Sequence, residues 1–153
     1  MEDLQRILGE HPSLKGLDEK YIQLLVTCAS NVVFKKGEYI FREGEPADNF
    51  YLIRKGKVLI EVNFPPKGSL IIRSRDEGEL FGWSWLVPPY KWHFDARAVE
   101  LTRAISIDGK CLRGKCEDDH DLGYQIMKRF VQIISERLEA TRLQLMDIYG
   151  DDK

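Results

Sequence analysis

The chain has 153 residues, of which 43% are hydrophobic and 31% charged, and its formal net charge is −2. These values predict one soluble globular domain, because a chain of this length can bury a core without disulfides or metal ions. The small negative charge argues against nucleic-acid binding. No apolar run is long enough to cross a membrane and the N-terminus is not signal-like, so we expect a cytoplasmic protein without a membrane partner.

Helical patterns occupy both ends of the chain. Leu4, Ile7 and Leu8 have helical spacing, and a second amphipathic helix is predicted after Asp18. Near the other end, Asp108 is expected to cap a short helix over 109–116, and an acidic start predicts a long helix over about 118–149. At 1.5 Å per residue the long helix is about 45 Å in length, more than one small barrel can cover.

The middle of the chain predicts strands. Short β-rich runs alternate with glycine turns, at the spacing typical of an antiparallel barrel or jelly roll. The runs are 32–34, 39–41, 50–53, 58–62, 70–72 and 104–107, and the turns contain Gly37, Gly44, Gly56, Lys67-Gly68-Ser69 and Gly78. We therefore expect a mostly β fold with flanking helices, a double-stranded β-helix (jelly-roll) barrel. The single domain over 1–153 divides into N-terminal helices (1–31), a β-roll (32–108) and C-terminal helices (109–150).

Apolar residues of the long helix recur at alternating spacings of three and four, which is typical of a coiled-coil seam. The seam consists of Tyr124, Met127, Val131, Ile134, Leu138, Thr141, Leu145 and Ile148. We expect it to join two copies of the chain into a homodimer; packing of the helix on its own barrel is the open alternative. Arg137 and Arg142 flank the seam and would face each other in a simple parallel pair.

Several motifs resemble the cyclic nucleotide-binding domain superfamily, in its catabolite-activator (Crp/Fnr-like) sensor form. They are the run Phe34–Ile53 with Gly37 and Glu43-Gly44, the hairpin Lys55-Gly56-Lys57, and Gly78-Glu79-Leu80-Phe81-Gly82. The resemblance covers about residues 14–148. It implies a regulatory, non-enzymatic domain of signal transduction, with cAMP or cGMP as the ligand and a phosphate-binding cassette at 80–94.

The cassette departs from the family pattern at its two ligand contacts. In the family a Glu holds the ribose hydroxyl and an Arg pairs with the cyclic phosphate, but here Trp83 stands at the Glu position and Trp92 near the Arg position. Two lost charge-assisted hydrogen bonds correspond to about two to four decades of affinity. Base stacking on Trp returns only about 1–3 kcal/mol. We therefore expect ordinary cAMP binding to be weak.

The resemblance and the aromatic cluster together give the candidate ligand-binding residues. The start of a short helix at Gly82–Trp85 would offer N–H groups to an anion. The candidates are Gly82, Trp83, Ser84, Trp85, Lys91, Trp92, His93 and Thr141. Three interpretations stay open: tryptophans fill the pocket and nothing binds, the pocket accepts another flat or apolar ligand, or a cyclic nucleotide is held in an unusual way. Thr141 is either a seam residue or a ligand contact.

Neither a metal site nor catalysis is expected. The spacing of Cys111, Cys116 and His120 is not a standard zinc pattern, and three cysteines fit reduced thiols. No catalytic motif accompanies the histidines, which fall in separate segments.

The position of the last helix bears on the output of the domain. Regulators of this kind continue from it into a DNA-binding module, whereas this chain ends at Lys153. We expect a stand-alone domain that binds no nucleic acid and acts through a small-molecule effector or a protein partner. The alternatives are a ligand-free protein-interaction dimer, or the sensor half of a Crp/Fnr-type transcription regulator.

Overall fold

The computed structural model describes residues 3–63 and 68–150, which form two four-stranded antiparallel sheets and four α-helices. The elements in chain order are α1 (Leu4–Glu10), α2 (Glu19–Val26), β1 (Ala29–Phe34), β2 (Tyr39–Phe41), β3 (Asn49–Lys55), β4 (Lys57–Asn63), β5 (Ser69–Asp76), β6 (Leu80–Phe81), a 3-10 turn (Ser84–Leu86), β7 (Asp95–Ala98), β8 (Thr102–Asp108), α3 (Gly109–Asp118) and α4 (His120–Gly150). Every predicted β-rich run lies on a strand. Of the predicted turn at 67–69, Lys67 lies outside the described residues.

The strand order is β1-β8-β3-β6 in one sheet and β2-β7-β4-β5 in the other. Strand β3 is buried on both faces, as its alternating side chains show. Phe50 and Leu52 join a core beneath the helices, whereas Tyr51 and Ile53 join a core between the sheets. The expected mostly β jelly roll with flanking helices and a long C-terminal helix is confirmed.

Aspartates begin the C-terminal helices. The carboxylate of Asp108 accepts a hydrogen bond from the N–H of Cys111 at 3.0 Å, which confirms the predicted cap of α3. Asp119 has extended backbone geometry and accepts from the N–H of Leu122, so it ends α3 and begins α4. The long helix therefore starts at His120, two residues later than expected.

Helix α4 has two apolar faces. Leu122, Ile126 and Phe130 are buried in the core beneath the helices. The seam lies elsewhere on the helix: Tyr124, Val131, Leu138, Leu145 and Ile148 are each at least half exposed.

The expectation of reduced thiols is wrong for two of the three cysteines, because Cys28 and Cys111 form a disulfide. Pairing of β1 with β8 explains their proximity. It sets Ala29 opposite Ile107, and the N–H of Asp108 donates to the carbonyl of Cys28 at 2.9 Å. This brings Cys28 to the first turn of α3, with 5.7 Å between the two Cα atoms. Cys116 carries the remaining thiol.

In the part of the chain that the structure describes, no helix is both long and apolar enough to span a bilayer. Across residues 3–63 and 68–150, no three His, Cys, Asp or Glu side chains cluster as a metal site would require.

Candidate functional site

A cavity of about 310 Å³ lies between the β-roll, the start of the cassette and α4. Its size is at the lower end of the range for small-molecule sites. The described residues that line it are Ile60, Arg73, Arg75, Phe81, Gly82, Trp83, Phe94, Ile134, Arg137, Leu138 and Thr141.

Gly82 and Trp83 form the cassette side of the cavity. Gly82 has a φ of +90°, and a Cβ added there would lie 2.9 Å from the ring of Trp92. Only glycine meets both conditions without strain. Trp83 follows at the start of the 3-10 turn and is only partly buried, so its indole faces the cavity.

The other two tryptophans lie in the two cores. Trp92 is buried between the sheets, stacked on Phe41 with 3.7 Å between ring centroids. Trp85 has no exposed surface and packs against Phe50 and Phe130. The tryptophan cluster of the sequence is therefore divided between two cores and one cavity wall.

Three arginines form the opposite side of the cavity. Arg73 and Arg75 lie two residues apart on β5, and Arg137 comes from α4. Burial lowers the pKa of Arg137 to about 10, and Arg75 and Arg73 lower it further, whereas Glu79 and Glu136 raise it. Burial also lowers the pKa of Arg75, against the effect of Glu79. All three guanidinium groups are charged at neutral pH.

Arg137 points toward the β-roll. It donates a hydrogen bond to the carbonyl oxygen of Leu80, and its Cζ lies 5.2 Å from the ring centroid of Trp83. The predicted clash of Arg137 with its copy across the seam is therefore removed. Arg142 stays on the surface, 3.8 Å from Glu139.

The structure brings together three of the predicted site residues: Gly82, Trp83 and Thr141 line the cavity. The cavity does not reach the other five, since Ser84, Trp85 and Trp92 are buried elsewhere, and Lys91 and His93 are exposed outside it. The predicted helix start for an anion is one turn of 3-10 helix, Ser84–Leu86. That is too short to form an anion site by itself.

Sequence reasoning missed the arginines of β5, although a signal was present. Arg73 and Arg75 alternate with Ser74, and the period of a strand places both on one face. Positions 134, 137, 138 and 141 likewise share one helical face, which brings Arg137 to the cavity with three seam residues.

The comparisons with known proteins agree with this fold. The profile of the cyclic nucleotide-binding domain family matches residues 31–119. A CRP-like cAMP-activated global transcriptional regulator of Mycobacterium tuberculosis is 26% identical over 149 residues, which is 97% of this chain and 65% of that protein. This chain thus spans less than two thirds of that relative's length.

Solved structures extend the likeness. A protein of Geobacter metallireducens, named as a candidate cyclic nucleotide-binding protein, is 26% identical with a TM-score of 0.79, over 90% of this chain and 99% of the other. The catabolite activator protein of Thermus thermophilus has a TM-score of 0.70 at 21% identity, over 91% of this chain and 63% of the other, and so shares the fold. On the profile match and this architecture, the chain belongs to the cyclic nucleotide-binding domain family.

Proposed function

We propose that the chain is a ligand-sensing regulatory domain, in which a small molecule in the cavity changes the position of α4 and thereby the contact between two copies of the chain. One observation carries the proposal: Leu138 and Thr141 belong both to the cavity lining and to the seam. A ligand that contacts them contacts the dimer helix directly. It acts by binding one arrangement of α4 more tightly than another.

Cyclic nucleotides bind weakly in this proposal. Trp83 supplies no carboxylate for the ribose hydroxyl. The indole of Trp92 lies in the core between the sheets, stacked on Phe41, and offers no cation to a phosphate at the cassette. The family's two charged contacts are therefore replaced by packing.

The likeness to the M. tuberculosis protein favours a role in a regulator of that class. That protein is named as a cAMP-activated transcriptional regulator, and its similarity covers 97% of this chain. We propose that this chain performs the sensing step of such regulation, with output through a protein partner or through the DNA-binding part of a longer regulator.

The test measures occupancy and dimerisation together. Purified protein is titrated with cAMP, cGMP and 2-naphthoate, a flat anionic probe, while intrinsic fluorescence is followed in the wild type and in Trp83→Phe. Sedimentation equilibrium gives the dimer dissociation constant with and without each compound. We expect the cyclic nucleotides to act only near millimolar concentration. We expect 2-naphthoate to bind saturably, with a fluorescence change that Trp83→Phe removes, and to shift the dimer constant.

Saturable binding that leaves both the dimer constant and the hydrogen exchange of α4 unchanged would contradict the coupling. Absence of binding by all three compounds, with a dimer present throughout, would instead support the ligand-free interaction module. Micromolar binding of cAMP would show that the arginines replace the family's charged contacts.

A further inference from the structure

The cavity has two chemically different sides. Apolar and aromatic side chains form one of them: Ile60, Phe81, Trp83 and Phe94. The other carries Arg73, Arg75 and Arg137. Among the described lining residues there is no Asp or Glu.

The acids that accompany these arginines lie on the far side of them. Glu79 and Glu136 line a neighbouring groove of about 400 Å³, formed by α4, the 78–80 turn and Pro12–Ser13, and neither lines the cavity. Only Arg75 has an acidic partner within 4 Å, with 3.7 Å between its Nη1 and Oε2 of Glu79. That pair is not bidentate.

The remaining positive charge has little compensation. Arg137 donates to the neutral carbonyl oxygen of Leu80. Arg73 makes no hydrogen bond or ion pair with any other described residue. Because the arginines repel one another, an anion between them would relieve the repulsion and would accept charge-assisted hydrogen bonds from planar guanidinium groups.

The lining also limits what else the ligand can carry. Thr141 is the only hydroxyl-bearing residue of the described lining, and its Oγ1 already donates to the carbonyl oxygen of Arg137 at 2.9 Å. Ribose hydroxyls and base amino groups would therefore lose hydrogen bonds to water without replacement. A flat ring without polar substituents would lose none and would pack on Trp83 and Phe94.

We infer that the ligand of this cavity is a small aromatic carboxylate, whose carboxylate is held by Arg73, Arg75 and Arg137 and whose ring lies against Trp83. The inference rests on the proposed function, which it deepens by naming the ligand class. The anion is then bound by β5 and α4, on the side of the pocket away from the cassette. Arg137 thereby links the ligand's charge to the dimer helix.

The test compares 2-naphthoate with 2-naphthamide, a neutral molecule of nearly the same shape, by isothermal titration calorimetry. We expect the carboxylate to bind at least about tenfold more tightly than the amide, as a charge-assisted contact predicts. Arg73→Gln should remove most of this preference without unfolding the protein, because Arg73 makes no contact of its own to lose. Arg137→Gln should do the same. Arg142→Gln is the matched control, since it removes an exposed α4 arginine outside the cavity.

Equal affinity for the two compounds, or a preference that survives both Arg73→Gln and Arg137→Gln, would overturn the inference. Inorganic phosphate is a third probe, and binding as tight as that of 2-naphthoate would show that the ring contributes nothing. These outcomes are separate from those of the coupling test. If 2-naphthoate binds as expected and the dimer constant does not move, the proposed function fails and the ligand class stands.

Discussion

Trp83 is the tryptophan whose position matters for ligand binding. Trp85 and Trp92 are buried in different cores, so their replacement would change stability before it changed any binding site. Trp83 alone is partly exposed, faces the cavity and contacts a cation of α4. Intrinsic fluorescence therefore reports on ligand only through this residue, with a constant background from the other two.

Gly82 holds the cassette against Trp92, and its replacement should be costly. In Gly82→Ala, a side chain at a φ of +90° is strained by about 1–2 kcal/mol, and its Cβ would approach the Trp92 ring to 2.9 Å. Overpacking of this kind adds about 1–3 kcal/mol. We expect a loss of about 2–5 kcal/mol in the free energy of unfolding, measured by urea denaturation.

Gly44→Ala is the matched control. Gly44 has a φ of +88°, and a Cβ added there would have no heavy atom within 4 Å. This variant should show the backbone strain alone, so the difference between the two variants isolates the contact with Trp92. Equal losses would mean that the ring of Trp92 moves aside freely and is not fixed beneath the cassette.

The site could be predicted from the sequence only in part. The family resemblance led to Gly82, Trp83 and Thr141 through the order of residues along the chain, and all three line the cavity. Arg73 and Arg75 have no counterpart in the cassette motif, and their alternation becomes informative only when β5 is known to face α4. The burial of Trp85 and Trp92 depends on Phe50, Phe130 and Phe41, which are distant in sequence.

At the level of elements, predictability followed local signals. The caps and periodicities of α2, α3 and α4 were sufficient to place those helices, within two residues at the start of α4. Strand β7, with the sequence Asp95-Ala96-Arg97-Ala98, was not among the predicted runs because alanine and aspartate are poor strand formers. It forms because it pairs with both β2 and β4.

The disulfide joins the end of α2 to the first turn of α3, and its removal should destabilise the fold. It closes a loop with a sequence separation of 83 residues, for which the expected contribution is about 2–4 kcal/mol. Cys28→Ser should lower the free energy of unfolding by this amount under non-reducing conditions. Reductant should lower the stability of the wild type toward that of the variant.

Cys116→Ser provides the control, because Cys116 has no disulfide partner. This variant should respond to reductant as the wild type does. If reductant left the stability of the wild type unchanged, the stabilising role assigned to the Cys28–Cys111 bond would be contradicted.

For the whole molecule, α4 joins the ligand cavity to a surface suited to a second copy of the chain. Residues 141–149 are all exposed, and the apolar seam continues through them. Exposed apolar residues at coiled-coil spacing over this length are typical of an interface. By linkage, a ligand that changes the dimer constant must have its own affinity changed equally by dimerisation.

Leu145→Glu should therefore break the dimer while leaving the domain folded. In a symmetric pair the two introduced carboxylates would face each other in the seam, a like-charge contact that costs several kcal/mol. We expect the dimer dissociation constant to rise by about a hundredfold or more in sedimentation equilibrium, with an unchanged circular dichroism spectrum.

Leu143→Glu is a close control for this change. Leu143 and Leu145 lie on the same helix with 52% and 50% of their surface exposed, but only Leu145 belongs to the seam. A general effect of charge on the end of α4 would weaken the dimer equally in both variants, whereas a coiled-coil contact predicts that Leu143→Glu stays dimeric. Because the cavity includes Leu138 and Thr141 of the same seam, Leu145→Glu should also change the affinity for 2-naphthoate by the factor through which that probe changes the dimer constant.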